Sequence, residues 1–112
     1  MGEPALDLSE IIELYKDDAR HMIGLMQSAL SRWDDLQRGG EARGEVRRLS
    51  HQLRGSGRTY GFRNVTRISK AIEGVMQKLE KKTLPADERT REVLVEWVER
   101  LAAVFIDERK GD

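Results

Sequence analysis

The chain has 112 residues, with Lys plus Arg numbering 20 and Asp plus Glu numbering 20, so its formal net charge is zero and bulk attraction to nucleic acid or anionic lipid is not expected. Its length suits one domain, and the absence of cysteine excludes disulfides, thiolate metal sites and thiol nucleophiles together. The longest apolar run, Leu101 to Ile106, falls far short of the roughly 20 residues a membrane span needs, and the acidic amino terminus lacks a signal-peptide pattern, so a cytoplasmic protein is expected. Charged residues make up 36% of the chain and aromatics 5%, with two prolines, a balance that favours amphipathic helices over sheets.

Apolar residues at Leu8, Ile11, Ile12, Tyr15, Ala19, Met22, Ile23, Met26, Ala29, Leu30 and Trp33 follow one helical stripe and predict a first helix over 7–37. Asp7 with Glu10 resembles a capping box, and Arg38-Gly39-Gly40 supplies a glycine stop. A second helix is predicted over 41–58, with Val46, Leu49, Leu53 and Tyr60 as its inward stripe and with Gly57 and Gly61 permitting a turn. Asn64 can cap a third helix over 63–82, whose stripe is Val65, Ile68, Ile72, Val75, Met76 and Leu79 and whose end at Lys81-Lys82 suits the helix dipole. After Thr83-Leu84, Pro85 is placed for the first turn of a fourth helix over 85–108, with Val93, Leu94, Trp97, Val98, Leu101, Val104 and Phe105 expected inside. Met22, Met26 and Met76 fall on these stripes and read as gap-filling core. Four such helices with short links predict an all-α fold, an antiparallel up-down four-helix bundle forming a single domain over 1–112.

Charge is not spread evenly. Between Arg43 and Arg67 stand seven arginines, Arg43, Arg47, Arg48, Arg54, Arg58, Arg63 and Arg67, against Glu45 alone. His51 lies in the middle of this segment. At about 100° per residue it points roughly 170° away from the mean direction of Val46, Leu49 and Leu53, so the imidazole is expected in solvent. Arg47, Arg54 and Arg58 fall within roughly 60° of it, and Gly55 lies one turn further on. A neutral imidazole is a competent nucleophile toward phosphorus, and guanidinium groups bind phosphoryl oxygens through forked, charge-assisted hydrogen bonds. Arg54 is the first candidate for that role, with Arg47 and Arg58 beside it. Gly55 costs about 1 kcal/mol of helix stability relative to alanine, which makes sense if a side chain there would block an approaching partner.

These residues resemble the histidine-containing phosphotransfer (HPt) family, whose motif reads His-x-Leu-(Lys/Arg)-Gly-(Ser/Ala), with another glycine six residues beyond the first. The match is His51, Leu53, Arg54, Gly55, Ser56 and Gly61, and the stretch Gly55-Ser56-Gly57-Arg58-Thr59-Tyr60-Gly61-Phe62 looks especially like the amino-terminal phosphotransfer domains of chemotaxis kinases. Arg54 stands where lysine is commoner, which keeps the charge and changes its reach. The resemblance implies a phosphoryl carrier rather than an enzyme, exchanging phosphate between His51 and the receiver domain of a response regulator or a histidine kinase. It implies no cofactor on this chain, with magnesium expected on the partner receiver, and a monomer that is either free-standing or one module of a larger signalling protein. In that family a glutamate on the third helix orients the histidine, and the matching position is Glu73. A generic surface carboxylate is the equal alternative at Glu73.

Two other readings compete. Ser50-His51-Gln52-Leu53-Arg54 also looks like the phosphoacceptor box of a sensor-kinase dimerisation hairpin. That box has an acidic residue after the histidine and Thr-Pro after the arginine, where this chain has Gln52 and Gly55-Ser56. A non-catalytic helical adaptor is the remaining alternative; zero net charge and the lack of aromatics among the arginines weigh against a nucleic-acid partner. His21, among Arg20, Met22 and Ile23 on the first helix, reads as a boundary residue between core and surface, Arg43, Arg63 and Arg67 read as a solvated face, and two histidines imply no metal site.

Overall fold

Asp7 accepts the backbone N–H of Glu10 on its Oδ1 at 2.8 Å and opens the first helix, α1, over Leu8–Ser31. The computed structural model describes residues 7–34 and 39–106, and its remaining helices are α2 (Gly39–Tyr60), α3 (Arg63–Glu80) and α4 (Glu88–Val104). Among the described residues there is no strand, and no helix is long and apolar enough to cross a membrane.

Helix ends depart from the sequence expectation in ways that side-chain packing explains. The first helix stops at Ser31, well before Gln37. There the N–H groups of Arg32 and Trp33 donate to the carbonyls of Ala29 and Leu30, tightening the last turn, and Trp33 is buried in the core. Residues 35–38, including the predicted end of this helix and Arg38 of its glycine stop, lie outside the described residues. Gly39 and Gly40 belong to α2 instead. A Cβ on Gly39 would lie 2.7 Å from the Trp33 carbonyl oxygen, so the glycine serves close approach, and the Arg43 guanidinium covers the Trp33 ring at 5.5 Å.

Gly57 sits inside α2, which continues to Tyr60. Gly61, at φ +80°, ends the helix: its N–H donates to the Arg58 carbonyl and the N–H of Phe62 donates to the Gly57 carbonyl at 2.8 Å, the paired bonds of a Schellman termination. Phe62 rather than Asn64 occupies the N-cap position of α3 and offers no side-chain cap. That helix ends at Glu80, two residues short of expectation, because Lys82 adopts φ 60° and the Thr83 N–H turns back to the Lys78 carbonyl. Pro85 precedes α4 without entering it. Asp87 is the cap, accepting the Thr90 N–H at 2.9 Å, and the helix ends at Val104; residues 107 and 108 of the expected helix lie outside the described residues.

Cross-helix pairs fix the topology. Tyr15 meets Tyr60 while Arg32 meets Glu45, Gly57 meets Thr66 while Arg47 meets Glu80, and Arg20 reaches Phe105 while Arg91 reaches Leu30. Each adjacent pair therefore runs antiparallel, and contacts close the ring α1–α2–α3–α4–α1. The core is the inward stripe of all four helices, with Met26, Leu30, Leu49, Leu53, Ile72, Leu94 and Leu101 among its buried residues. Met76 also lies inside, and Met22 packs partly buried against the core. Leu8 and Val93, both expected inside, are 73% and 40% exposed: Leu8 is the first residue of α1, and Val93 lies roughly 110° around α4 from the buried stripe of Leu94, Val98 and Leu101. Trp97 and Val104 are only partly covered, and Tyr60 is 37% exposed while stacking on Tyr15.

Neither α1 nor α4 has a basic residue in its last turn. Each receives one from the other: Arg20 donates Nε–H to the Phe105 carbonyl at 2.9 Å, and Arg91 donates Nε–H to the Leu30 carbonyl at 3.0 Å. These arginines satisfy orphan carbonyls and place positive charge at the negative helix ends.

Candidate functional site

His51 faces outward because Val46, Leu49 and Leu53 hold the opposite side of α2 in the core. Its side chain is 64% exposed. What positions it comes from α3, where the antiparallel register brings Glu73 alongside. Its carboxylate oxygens lie 3.2 and 3.3 Å from the His51 Nδ1. The Glu73 side chain is only 7% exposed, so its carboxylate has surrendered most of its water and relies on protein partners. Gln77 donates Nε2–H to Oε1 at 3.4 Å, and Arg54 places Nη1 3.5 Å from Oε2.

The chemistry of these partners assigns the tautomer. An ionised carboxylate only accepts, so the proton belongs on Nδ1, and Nε2 keeps an in-plane lone pair on a largely exposed ring. Such a ring is held in one orientation from behind and presents a nucleophilic nitrogen in front. The carboxylate also sits where it stabilises positive charge developing on the imidazole.

The other sequence candidates divide. Arg54 is half-buried and leans on Glu73. Arg47 is ion-paired with Glu80 across the α2–α3 seam. Arg58 is exposed and has no ion-pair partner among the described residues. Gly55 is exposed, and a Cβ built on it would meet nothing within 4 Å, so no neighbour in the bundle requires glycine there. Ser56 lies with its Oγ 3.2 Å from the Tyr15 hydroxyl and 3.4 Å from the Leu53 carbonyl, two alternatives for one proton. It ties the segment after His51 to an aromatic group in which Tyr15 stacks on Tyr60 at 4.4 Å and Phe62 and Phe105 close the far side. Burial pushes the Tyr15 phenol above its ordinary range, and the Ser56 hydrogen bond opposes that rise. Gly61 supplies the left-handed turn that starts α3. His21 is exposed, and among the described residues no group of three or more His, Cys, Asp or Glu is arranged to hold a metal ion.

Gln77 and Glu80 escaped the sequence reading. Gln77 follows Glu73 by four residues, a spacing at which a glutamine can steady a carboxylate on one helix face. Glu80 carries no such local mark, since its partner Arg47 comes from another helix.

A family model described as Hpt domain matches residues 10–104. Neither a curated protein nor a solved structure matches the chain closely enough to be set beside it.

Proposed function

The chain belongs to the Hpt domain family, and from that premise we propose that His51 carries the phosphoryl group, exchanging it with the aspartate of a receiver domain or taking it from an ATP-bound histidine kinase. Hpt domains serve histidine phosphotransfer in phosphorelays as carriers, not catalysts. The observation that supports His51 as the acceptor is its geometry: an exposed ring whose Nδ1 is engaged by a buried glutamate.

In the proposed exchange, the Nε2 lone pair of His51 attacks the phosphorus of an aspartyl phosphate. The N–P bond forms as the P–O bond to the aspartate breaks, and the carboxylate leaves. Donation to another receiver reverses these bonds. Glu73 holds the Nδ1 proton throughout and balances charge on the ring. Arg54, released from Glu73, forks the phosphoryl oxygens, with Arg58 adding positive charge on the same face and Arg47 doing so once it exchanges Glu80 for the phosphoryl group. Gly55 leaves the approach open, while Ser56 and Gly61 hold the helix end in place. Magnesium enters on the receiver, so this chain needs no cofactor of its own. Four helices of one chain close the core, which supports a monomeric carrier, and a cytoplasmic location belongs to the same proposal.

The test is phosphate uptake from a phosphorylated receiver. His51→Gln should leave helical content and melting nearly unchanged, since the ring is exposed, and should lose all acid-labile, alkali-stable label. Label that persists on the variant refutes the assignment.

A further inference from the structure

A shallow groove runs between the end of α2 and the start of α3, lined among others by Arg58, Gly61, Arg63, Thr66, Arg67 and Lys70. None of its four cations has a carboxylate partner among the described residues, unlike Arg20, Arg32, Arg47, Arg54 and Arg91; Arg48, Lys78, Lys81 and Arg89 share that property, but the four here stand together in one groove. The placement of two of them runs against helix stability. The first turn of α3 holds no acid and its N-cap no side-chain hydrogen bond, yet Arg63 opens the helix and Arg67 follows one turn later. Cations there add to the positive end of the helix dipole instead of offsetting it. Charges that the fold leaves unpaired, at a place where they oppose the fold, point to something outside it.

We infer that this groove is an electrostatic docking site for the carboxylate-rich surface of the receiver domain that exchanges phosphate with His51. The inference rests on the carrier reading of His51. Arg58 lies seven residues beyond His51 on the same stripe, about 10 Å along the helix axis. A standard interface covers about 800 Å² a side, a disc of about 16 Å radius, so a partner centred on His51 also covers the start of the groove. An aspartate that takes phosphate with magnesium sits among carboxylates that hold the metal, which gives its rim the complementary charge.

A small anion fits the groove less well. Arg58, Arg63, Arg67 and Lys70 are all exposed and stand on two helices without converging on a buried point. Thr66, the hydroxyl residue in the groove's lining, is directed at the Arg54 and Phe62 carbonyls at 3.4 and 3.3 Å. Since the chain as a whole is neutral, this local field is what can steer an acidic partner toward His51.

The experiment compares the chain with the double variant Arg63→Glu/Arg67→Glu and a charge-matched control, Lys81→Glu/Arg89→Glu, on exposed positions outside the groove. Each is labelled with phosphoramidate, whose P–N bond breaks with release of ammonia as the His51 N–P bond forms, and is then mixed with receiver domains of the same organism. The groove variant should label normally and melt no lower than the parent, because acids at a helix N-terminus are favourable. Its second-order transfer rate to the fastest-accepting receiver should fall about ten-fold at low salt. That deficit should largely vanish at about 0.5 M salt, where screening shortens the field to a few ångströms. An unchanged rate, an equal loss in the control, or a loss insensitive to salt overturns the inference. So does saturable binding of inorganic phosphate at the groove that itself blocks transfer. Failure of every receiver to accept label from the parent chain removes the carrier reading as well, whereas normal acceptance by both proteins removes the groove alone.

Discussion

Gly57 of α2 and Thr66 of α3 touch so closely that a Cβ on Gly57 would lie 2.8 Å from the Thr66 Oγ1 and 3.0 Å from its backbone nitrogen. This close approach on the α2–α3 seam lies within two turns of His51 on α2 and of Glu73 on α3. Counting six residues back along α2 reaches His51, and seven forward along α3 reaches Glu73. A missing side chain at one position thus sets the separation at which a buried carboxylate meets an exposed imidazole.

Gly57→Ala should destabilise the bundle by about 1–3 kcal/mol, the usual cost of overpacking, because Thr66 backbone and the Val65 Cγ1 at 3.0 Å cannot both give way. Urea or thermal unfolding measures it. Phosphate transfer should slow in the same variant as α3 moves away from His51. Full stability with normal transfer contradicts the account of the seam.

Glu73→Gln keeps the side-chain shape and removes the charge. An amide can either accept from Nδ1 or donate to it, so the enforced Nδ1–H tautomer should give way to a mixture. Nitrogen-15 chemical shifts of the His51 ring report this directly, and transfer should slow while melting changes little. A ring that keeps a single Nδ1–H form in the variant shows that Glu73 does not set the tautomer.

Gly55→Ala should stabilise the isolated domain by about 0.5–1 kcal/mol, since glycine inside a helix is costly and the added Cβ meets nothing within 4 Å. Transfer to a receiver should nonetheless slow, and a Gly55→Gln variant should slow it further. Stabilisation accompanied by full-speed transfer in both variants means the open approach beside His51 is not needed.

Alkaline pH should weaken the fold through Tyr15. Burial holds its phenol above the ordinary value of 10.0, so the folded state binds that proton more tightly than the unfolded chain. The associated stability is complete below pH 10.0 and is lost as pH rises from there through the folded-state value. Melting temperature followed from pH 9 to 12 should therefore fall less steeply for Tyr15→Phe than for the parent, whatever the variant's stability at neutral pH. Parallel profiles rule Tyr15 out as the source.

Much of the fold was legible because helical periodicity is local. The inward stripes, the outward direction of His51 and the company of Arg54 and Gly55 all follow from about 100° per residue along one helix. Helix ends were less legible. Trp33 turns α1 off early by entering the core, Lys82 stops α3 in a conformation its residue type does not advertise, and Asp87 displaces Pro85 as the start of α4. Gly57 reads as a turn in sequence and is instead a helix–helix contact.

By itself, then, the sequence determined four amphipathic helices and one outward histidine in a basic segment, since both depend only on spacing within a helix. Tertiary structure alone decided that Glu73 is buried against that histidine with Gln77 and Arg54 around it, that Arg47 is occupied by Glu80, and that Arg58, Arg63, Arg67 and Lys70 share one groove. Those relationships join different helices, and their register is set by core packing and by the close approach at Gly57, which no repeat within a single helix encodes.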